Sequence, residues 1–157
     1  MIEGSACDKF FDIIIVGGSF SGLTTAISMA IDKKIKIAVI DKQDFVNKER
    51  SNDGKALAIS NHSIDFLKKI SAIDDQLLEN SAPILDIKIT DNQSPITLDF
   101  IGSKNSNNQA FGFIISSFDL YNQLKKRALK LDNIEFICPV FYQKIDLTKY
   151  YNYNYNI

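Results

Sequence analysis

Three glycines, two serines and an aspartate hold most of the chemistry available to this chain. Gly17-Gly18-Ser19-Phe20-Ser21-Gly22 follows the G-x-G-x-x-G pattern by which a strand-to-helix turn brings backbone N–H groups up to a diphosphate, except at its middle glycine. Gly17 supplies the tight turn, and Gly22 lets the helix pack close to the strand. Ser19 replaces the middle glycine; it is small, and its hydroxyl can donate to a phosphate oxygen. The amides that open the following helix point along a dipole whose positive end faces the turn. Asp41 closes the next strand, where a carboxylate can accept hydrogen bonds from ribose hydroxyls, and Lys42 follows it. A carboxylate there repels a 2′-phosphate, so NADP is the least favoured dinucleotide. The candidate cofactor-binding residues are therefore Gly17, Gly18, Ser19, Phe20, Ser21, Gly22, Asp41 and Lys42.

The flanking pattern decides between a nucleotide site and a plain turn. Phe10 to Val16 is an apolar, β-branched run broken only by Asp12, as expected of a strand buried on both faces. From Leu23 the period becomes helical, with Leu23, Ala26, Ile27, Ala30 and Ile31 on one face. Lys36 to Ile40 is a second buried strand. Strand, turn, helix and strand make a βαβ unit, and with Asp41 in place the nucleotide reading outweighs the plain turn.

Further elements follow. Ser60 or Asn61 can cap a helix through Ile70, with Ile64, Leu67 and the Lys68 stem inward. A short helix spans Ile73 to Glu79, stopped by Pro83. Ile84 to Thr90 and Ile96 to Phe100 read as a hairpin across Asp91-Asn92-Gln93-Ser94. Gly102 to Gln109 is a polar loop. Phe111 to Ile115 is a strand, and Ser116 or Ser117 caps a helix with Leu120, Leu124, Ala128 and Leu131 inward. Ile134 to Ile137 and Val140 to Ile145 are further strands. Residues 1–9 read as an extension, 10–149 as one domain, and 150–157, where Tyr and Asn alternate, as a low-complexity tail.

Composition removes several function classes. The net charge is −1, without the clustered Lys/Arg excess that a nucleic-acid binder requires. Cys7 and Cys138 form no CxxC pair, and His62 is the one histidine. No metal-ligand set can be assembled, a Ser-His-acid triad could be built only around His62, which reads rather as a histidine of a helix-capping region, and sparse thiols suit a reducing, cytoplasmic setting. No catalytic residue and no metal ligand is assigned. Asp74, Asp75 and Asp132 read as helix-end charges.

The Gly17 turn and Asp41, together with Asp53-Gly54-Lys55-Ala56-Leu57-Ala58-Ile59-Ser60 and Phe111-Gly112-Phe113-Ile114-Ile115-Ser116-Ser117-Phe118-Asp119-Leu120, resemble the FAD-dependent aromatic hydroxylases, most closely their ubiquinone-biosynthesis branch. The resemblance implies an α/β, Rossmann-like FAD/NAD(P)-binding fold with a parallel central sheet and an inserted antiparallel hairpin. It covers residues 10 to 145 and only the first part of the family, so the fold is expected to be incomplete. Lys55 stands where the family carries a basic residue, usually arginine, along the flavin's phosphate and ribitol side; lysine keeps the charge and loses the bidentate fork. Ser117 stands where the family offers an arginine or glutamine to the flavin. A serine reaches less far, and an N-cap is its simpler role.

The resemblance further implies FAD as cofactor, NAD(P)H as electron donor in the complete enzyme, and a prenylated phenol as substrate. Peripheral contact with the inner membrane or a biosynthetic complex is a further implication. The family's Gly-Asp motif and substrate-covering sheet have no counterpart, so the expected function is the FAD-binding part of a flavin-dependent monooxygenase, truncated and inactive by itself. The alternatives are a non-catalytic nucleotide-binding remnant and a fragment of an NAD-dependent dehydrogenase.

Overall fold

The computed structural model describes residues 9–47, 49, 51–91, 97–102 and 110–140. Residues 92–94 of the expected 91–94 turn, residues 103–109 of the expected 102–109 loop, a strand beyond Val140 and the 150–157 tail lie outside the described residues.

The first strand, β1 (Ile13–Val16), leads through the glycine turn into helix α1 (Phe20–Met29) and then β2 (Ile37–Ile40). β1 and β2 pair in parallel, Ile13 beside Ile37 and Val16 beside Ile40. The last strand, β8 (Ile134–Ile137), joins the other edge of β2, also in parallel. β2 is central in this sheet, and its Ile37, Ala38 and Val39 are buried as expected.

β1 departs from expectation. Ile13 and Ile15 pack on the core, but Ile14 and Val16 are 60% and 46% exposed. Successive strand residues point to opposite faces. Among the described residues only the Ile13 and Ile15 face of β1 is packed, so the strand is not buried on both sides. Ile31 is a second correction. α1 is capped at Ala30, the chain turns away, and Ile31 is 61% exposed although it continues the helical period.

A second sheet was not foreseen. β3 (Ala56–Ser60), β7 (Gly112–Ser116) and β4 (Ala82–Ile84) assemble in the order β3-β7-β4, all antiparallel. Pro83, expected only as a helix stop, lies inside β4. An edge strand tolerates proline, which has no N–H to give to a ladder. The expected hairpin forms from β5 (Asp86–Thr90) and β6 (Thr97–Ile101), with Ile87 beside Phe100 and Ile89 beside Leu98.

Three helices complete the packing. α2 (Asn61–Lys69) is capped by Ser60, whose side chain accepts the Ser63 amide. Its Ile64 and Leu67 are buried, whereas Lys68 stays at the surface and pairs with Asp75 at 2.6 Å. α3 (Asp75–Glu79) is capped by Asp74. α4 (Ser117–Ala128) is capped by Ser116, which accepts the Asp119 amide, so Ser117 is the first helical residue and not the cap. Leu120, Tyr121, Leu124 and Ala128 of α4 and Leu23, Ala26 and Ile27 of α1 join one continuous core with Ile37, Val39 and Ile115.

Candidate nucleotide-binding crevice

All three strands of the parallel sheet run the same way, so their C-terminal ends share one side of the molecule. There the chain leaves β1 at Gly17, β2 at Asp41 and β8 at Cys138. A crevice of about 540 Å³ opens between these exits, lined among others by Gly18, Ser19, Asp41, Lys42, Phe45 and Tyr121. Crevices outside the carboxyl ends of parallel strands are where open α/β sheets bind ligands.

The glycines have separable jobs. Gly17 has φ +108°, and a β-carbon on it would meet no atom within 4 Å. Glycine is needed there for its backbone angle, and the turn is open to close approach. A β-carbon on Gly22 would run into the carbonyl oxygen of Gly17. α1 thus seats directly on the turn, the close packing expected of the third glycine. Gly18 is covered by the ring of Phe45, which a β-carbon there would strike.

Ser19 is the N-cap of α1, yet its side chain makes no capping hydrogen bond. The opening turn also carries no acidic residue. Neither the cap serine's side chain nor an acidic residue of the opening turn therefore competes with an anion at this end of the helix, where the dipole is positive. A diphosphate oxygen is a suitable acceptor for the first amides of α1.

Asp41 is held by two backbone amides. One carboxylate oxygen accepts the Gly18 N–H at 2.7 Å and the other accepts the Gln43 N–H at 2.8 Å. Each carboxylate oxygen can accept more than one hydrogen bond, so a sugar hydroxyl still finds an acceptor. Asp41 also ties in β8, its carbonyl accepting the Val140 amide at 2.8 Å. With Asp44 and Glu49, the wall beyond Asp41 is mostly carboxylate, and Lys42 is its one cation among the described residues. Such a wall suits hydroxyl and amine donors, and phosphates belong at the α1 end of the crevice.

The candidate residues do not all converge. Gly18, Ser19, Asp41 and Lys42 line the crevice, and Gly17 and Gly22 shape the turn behind it. The side chains of Phe20 and Ser21 face a different, largely apolar cavity of about 590 Å³ against α2, shared with His62 and Phe66. Lys55 and Ser117 meet each other instead, the Ser117 N–H donating to the Lys55 carbonyl at 2.9 Å where β3 runs beside β7. Neither lines the crevice. The Lys55 ammonium pairs with Asp53 at 2.7 Å, both side chains being largely exposed. That hydrogen bond, with the Lys55 amide behind it, holds the Asp53 carboxyl below its ordinary value of 3.8.

Two residues that build the crevice were not singled out from sequence. The buried Tyr121 hydroxyl donates to the Gly18 carbonyl at 3.2 Å, and the ring meets Phe20 edge-on, 5.8 Å between centroids. Its signal was a polar-tipped aromatic beside Leu120 on an inward helix face, since a buried tyrosine needs a partner for its hydroxyl. Phe45 packs edge-on to Phe136 at 5.5 Å; an apolar residue amid the polar stretch after Asp41 was the available hint. No cluster of metal-ligating side chains occurs among the described residues.

No family model matches the chain. Over 100 residues it is 37% identical to the ubiquinone hydroxylase UbiL of Rhodospirillum rubrum, a match covering 63% of this chain and 23% of that protein. It is also 26% identical over 133 residues to the hydrogen cyanide synthase subunit HcnC of Pseudomonas protegens, covering 82% of this chain and 29% of that one. The chain thus spans about a quarter of the length of these curated relatives. Among solved structures it is similar to the p-nitrophenol 4-monooxygenase PnpA of Pseudomonas putida, with TM-score 0.59 and 15% identity over 80% of this chain and 31% of that one. The flavin-dependent halogenase CmlS gives TM-score 0.56 and 10% identity over 79% of this chain and 22% of that one. At such identities the structural likeness speaks for the fold, and these proteins are named for different reactions. In sequence and in fold, this chain resembles part of the FAD-dependent hydroxylases, with a ubiquinone hydroxylase among its relatives, and its partial coverage fits their N-terminal portion.

Proposed function

We propose that the chain binds the ADP half of FAD and is the FAD-binding part of a flavin-dependent monooxygenase acting on an aromatic ubiquinone precursor. The observation that carries this is the crevice itself. Glycine backbone, an uncapped helix start and a doubly anchored carboxylate lie side by side at the carboxyl ends of parallel strands. The group fits these residues: diphosphate against the α1 amides and Ser19, adenosine ribose against Asp41. The relationship to a ubiquinone hydroxylase supports FAD over NAD.

Bound flavin would supply the oxygen-activating redox chemistry. The chain's own residues bind and orient: α1 offers amides, Asp41 accepts from sugar hydroxyls, and Tyr121 and Phe45 fix the turn on which both depend. Lys55 and Ser117 sit together away from the crevice, and we assign them to the flavin side of the cofactor rather than its adenosine. Hydroxylation of a prenylated phenol with NAD(P)H as donor belongs to a protein with more of the family's length, and these residues by themselves are expected to give no turnover.

Titration of the purified chain with FAD, ADP and NAD, followed calorimetrically, tests the proposal. ADP should bind, FAD more tightly than ADP, and NAD more weakly than FAD. Binding of NAD without FAD would turn the assignment toward a dehydrogenase fragment, and binding of neither FAD nor ADP would end it.

A further inference from the structure

We propose that a cavity between the end of α4 and the bend joining α2 to α3 binds a phosphate group. Its volume is about 340 Å³, at the small end of ligand pockets. Lys126 and Arg127 of α4 and Lys130 just past it line one side. Ser71 and Asp74 of the bend line the other, with Gln123 between.

Hydrogen bonds fix both walls. Ser71 takes a left-handed backbone angle, φ +54°. Its amide donates to the Lys68 carbonyl and that of Ala72 to the Leu67 carbonyl, both at 2.8 Å, which ties the bend to the end of α2. Gln123 then clasps the bend to α4. Its Oε1 accepts the Asp74 N–H at 2.9 Å, and its Nε2 donates to the Asp74 carboxylate at 2.7 Å.

Arg127 carries the observation that points to a ligand. Among the described residues, its Nε is the one buried side-chain nitrogen or oxygen without a hydrogen-bond partner. A buried donor left unpaired is costly, more so on a charged group. The carbonyl end of α4 accounts for cations gathering here, but it leaves that N–H unanswered. The side chain is long and only partly buried. A small swing of its end offers Nε–H and an Nη–H together, a fork that matches one oxyanion.

The rest of the lining agrees. Lys126 and Lys130 are exposed and form no ion pair among the described residues. Asp74 is the one carboxylate in the lining, and its Oδ1 is already taken up by the Gln123 and Leu77 amides. Three cations against one engaged carboxylate suit a dianion. Arg127 and Lys130 also border a larger cavity on the side of Asn133, whose side-chain amide donates to the carbonyls of Ala30, Asp32 and Ile35 at 3.0 to 3.3 Å. That cavity carries Asp132 and Glu135 as well, and two carboxylates make it the poorer place for phosphate. None of the proposed ligands lines the nucleotide crevice, so the site is independent of the FAD reading.

Titration of the full chain with inorganic phosphate and with glycerol phosphate, followed by residue-resolved NMR at constant ionic strength, tests this. The amides of Ala72, Ile73 and Asp74 and the Arg127 Nε–H should shift saturably, with a Kd of about 1 mM or tighter. They should move as a set separate from the Gly17 to Ser19 amides of the crevice. Tighter binding of glycerol phosphate would assign the site to a phosphate monoester, and tighter binding of inorganic phosphate to the free ion. Arg127→Lys, which keeps the charge and loses the fork, and Lys130→Gln should each weaken binding at least about fivefold with circular dichroism unchanged. No saturable shift at the bend, equal shifts with chloride or acetate, or undiminished affinity in either folded variant would overturn the proposal.

Discussion

The backbone of Gly17 lies against that of Gly22 so closely that a β-carbon at position 22 would strike the Gly17 carbonyl oxygen. Gly22→Ala must push α1 off the turn or break the turn's shape, and overpacking against backbone costs about 1–3 kcal/mol. At Gly17 there is room for a methyl group but not for the angle, and strain there is of order 1–3 kcal/mol. Urea denaturation of the two alanine variants should show both destabilised. Calorimetry should show FAD affinity falling at least about tenfold for Gly22→Ala, because the amides are displaced.

Asp41 anchors the fold through two amides, and the proposed function also gives it the ribose. Asp41→Ala strands the Gly18 and Gln43 amides and should cost about 2 kcal/mol of stability. Asp41→Asn keeps one acceptor oxygen and should be milder in stability, while still weakening ADP binding through the lost acceptor. ADP titrations alongside urea denaturation separate the two effects. Equal ADP affinity in Asp41→Asn and the parent chain would remove the ribose assignment.

Tyr121→Phe deletes one hydroxyl and leaves the buried Gly18 carbonyl without that donor. A loss of about 1 kcal/mol in urea denaturation is expected. The ring contact with Phe20 survives, so circular dichroism should be unchanged. FAD affinity should drop severalfold, because the carbonyl orientation sets the amide next to it.

On the proposed assignment, Lys55 separates the two halves of the cofactor. It lies outside the crevice, and its exposed pair with Asp53 adds little to stability. Lys55→Ala should leave ADP affinity within about a factor of two and lower FAD affinity by more than that. Paired titrations of one variant with both ligands decide it, and an equal effect on the two would return Lys55 to the solvent.

Asp74 sets part of the acid limit of the fold. The Gln123 side-chain amide and the Leu77 amide bond to its carboxylate and hold its pKa below the ordinary 3.8. The unfolded chain therefore takes up this proton at higher pH than the folded one. The stabilisation is present above 3.8 and is lost as pH falls through the folded value. Thermal melts should show Tm falling in that range, and Asp74→Asn, which can still cap α3, should flatten the fall.

What the sequence revealed depended on the reach of each interaction. The β1–α1–β2 order was legible because glycine spacing and apolar period are local, and so was the β5–β6 pairing. β3 escaped because Ala56 and Ala58 give a weak alternation, and its partner strand begins only at Gly112. β4 escaped because Pro83, a sound helix stop, is equally at home on a sheet edge. Ile31 shows the limit of periodicity, which carries on past the residue where the helix ends. At the site, the type and place of Asp41 were legible, but its anchoring by Gly18 was not, since that depends on how two strand exits meet. Tyr121 was hidden for the same reason.

Asn133 owes its place to hydrogen atoms rather than to shape. One planar nitrogen addresses three carbonyl oxygens, and aspartate, nearly identical in outline, would set a negative oxygen against them. Replacing a single heavy atom at constant volume thus turns a clasp between two hairpin-like bends into a wedge. Bulk conservation is no guide to what this corner of the molecule will accept.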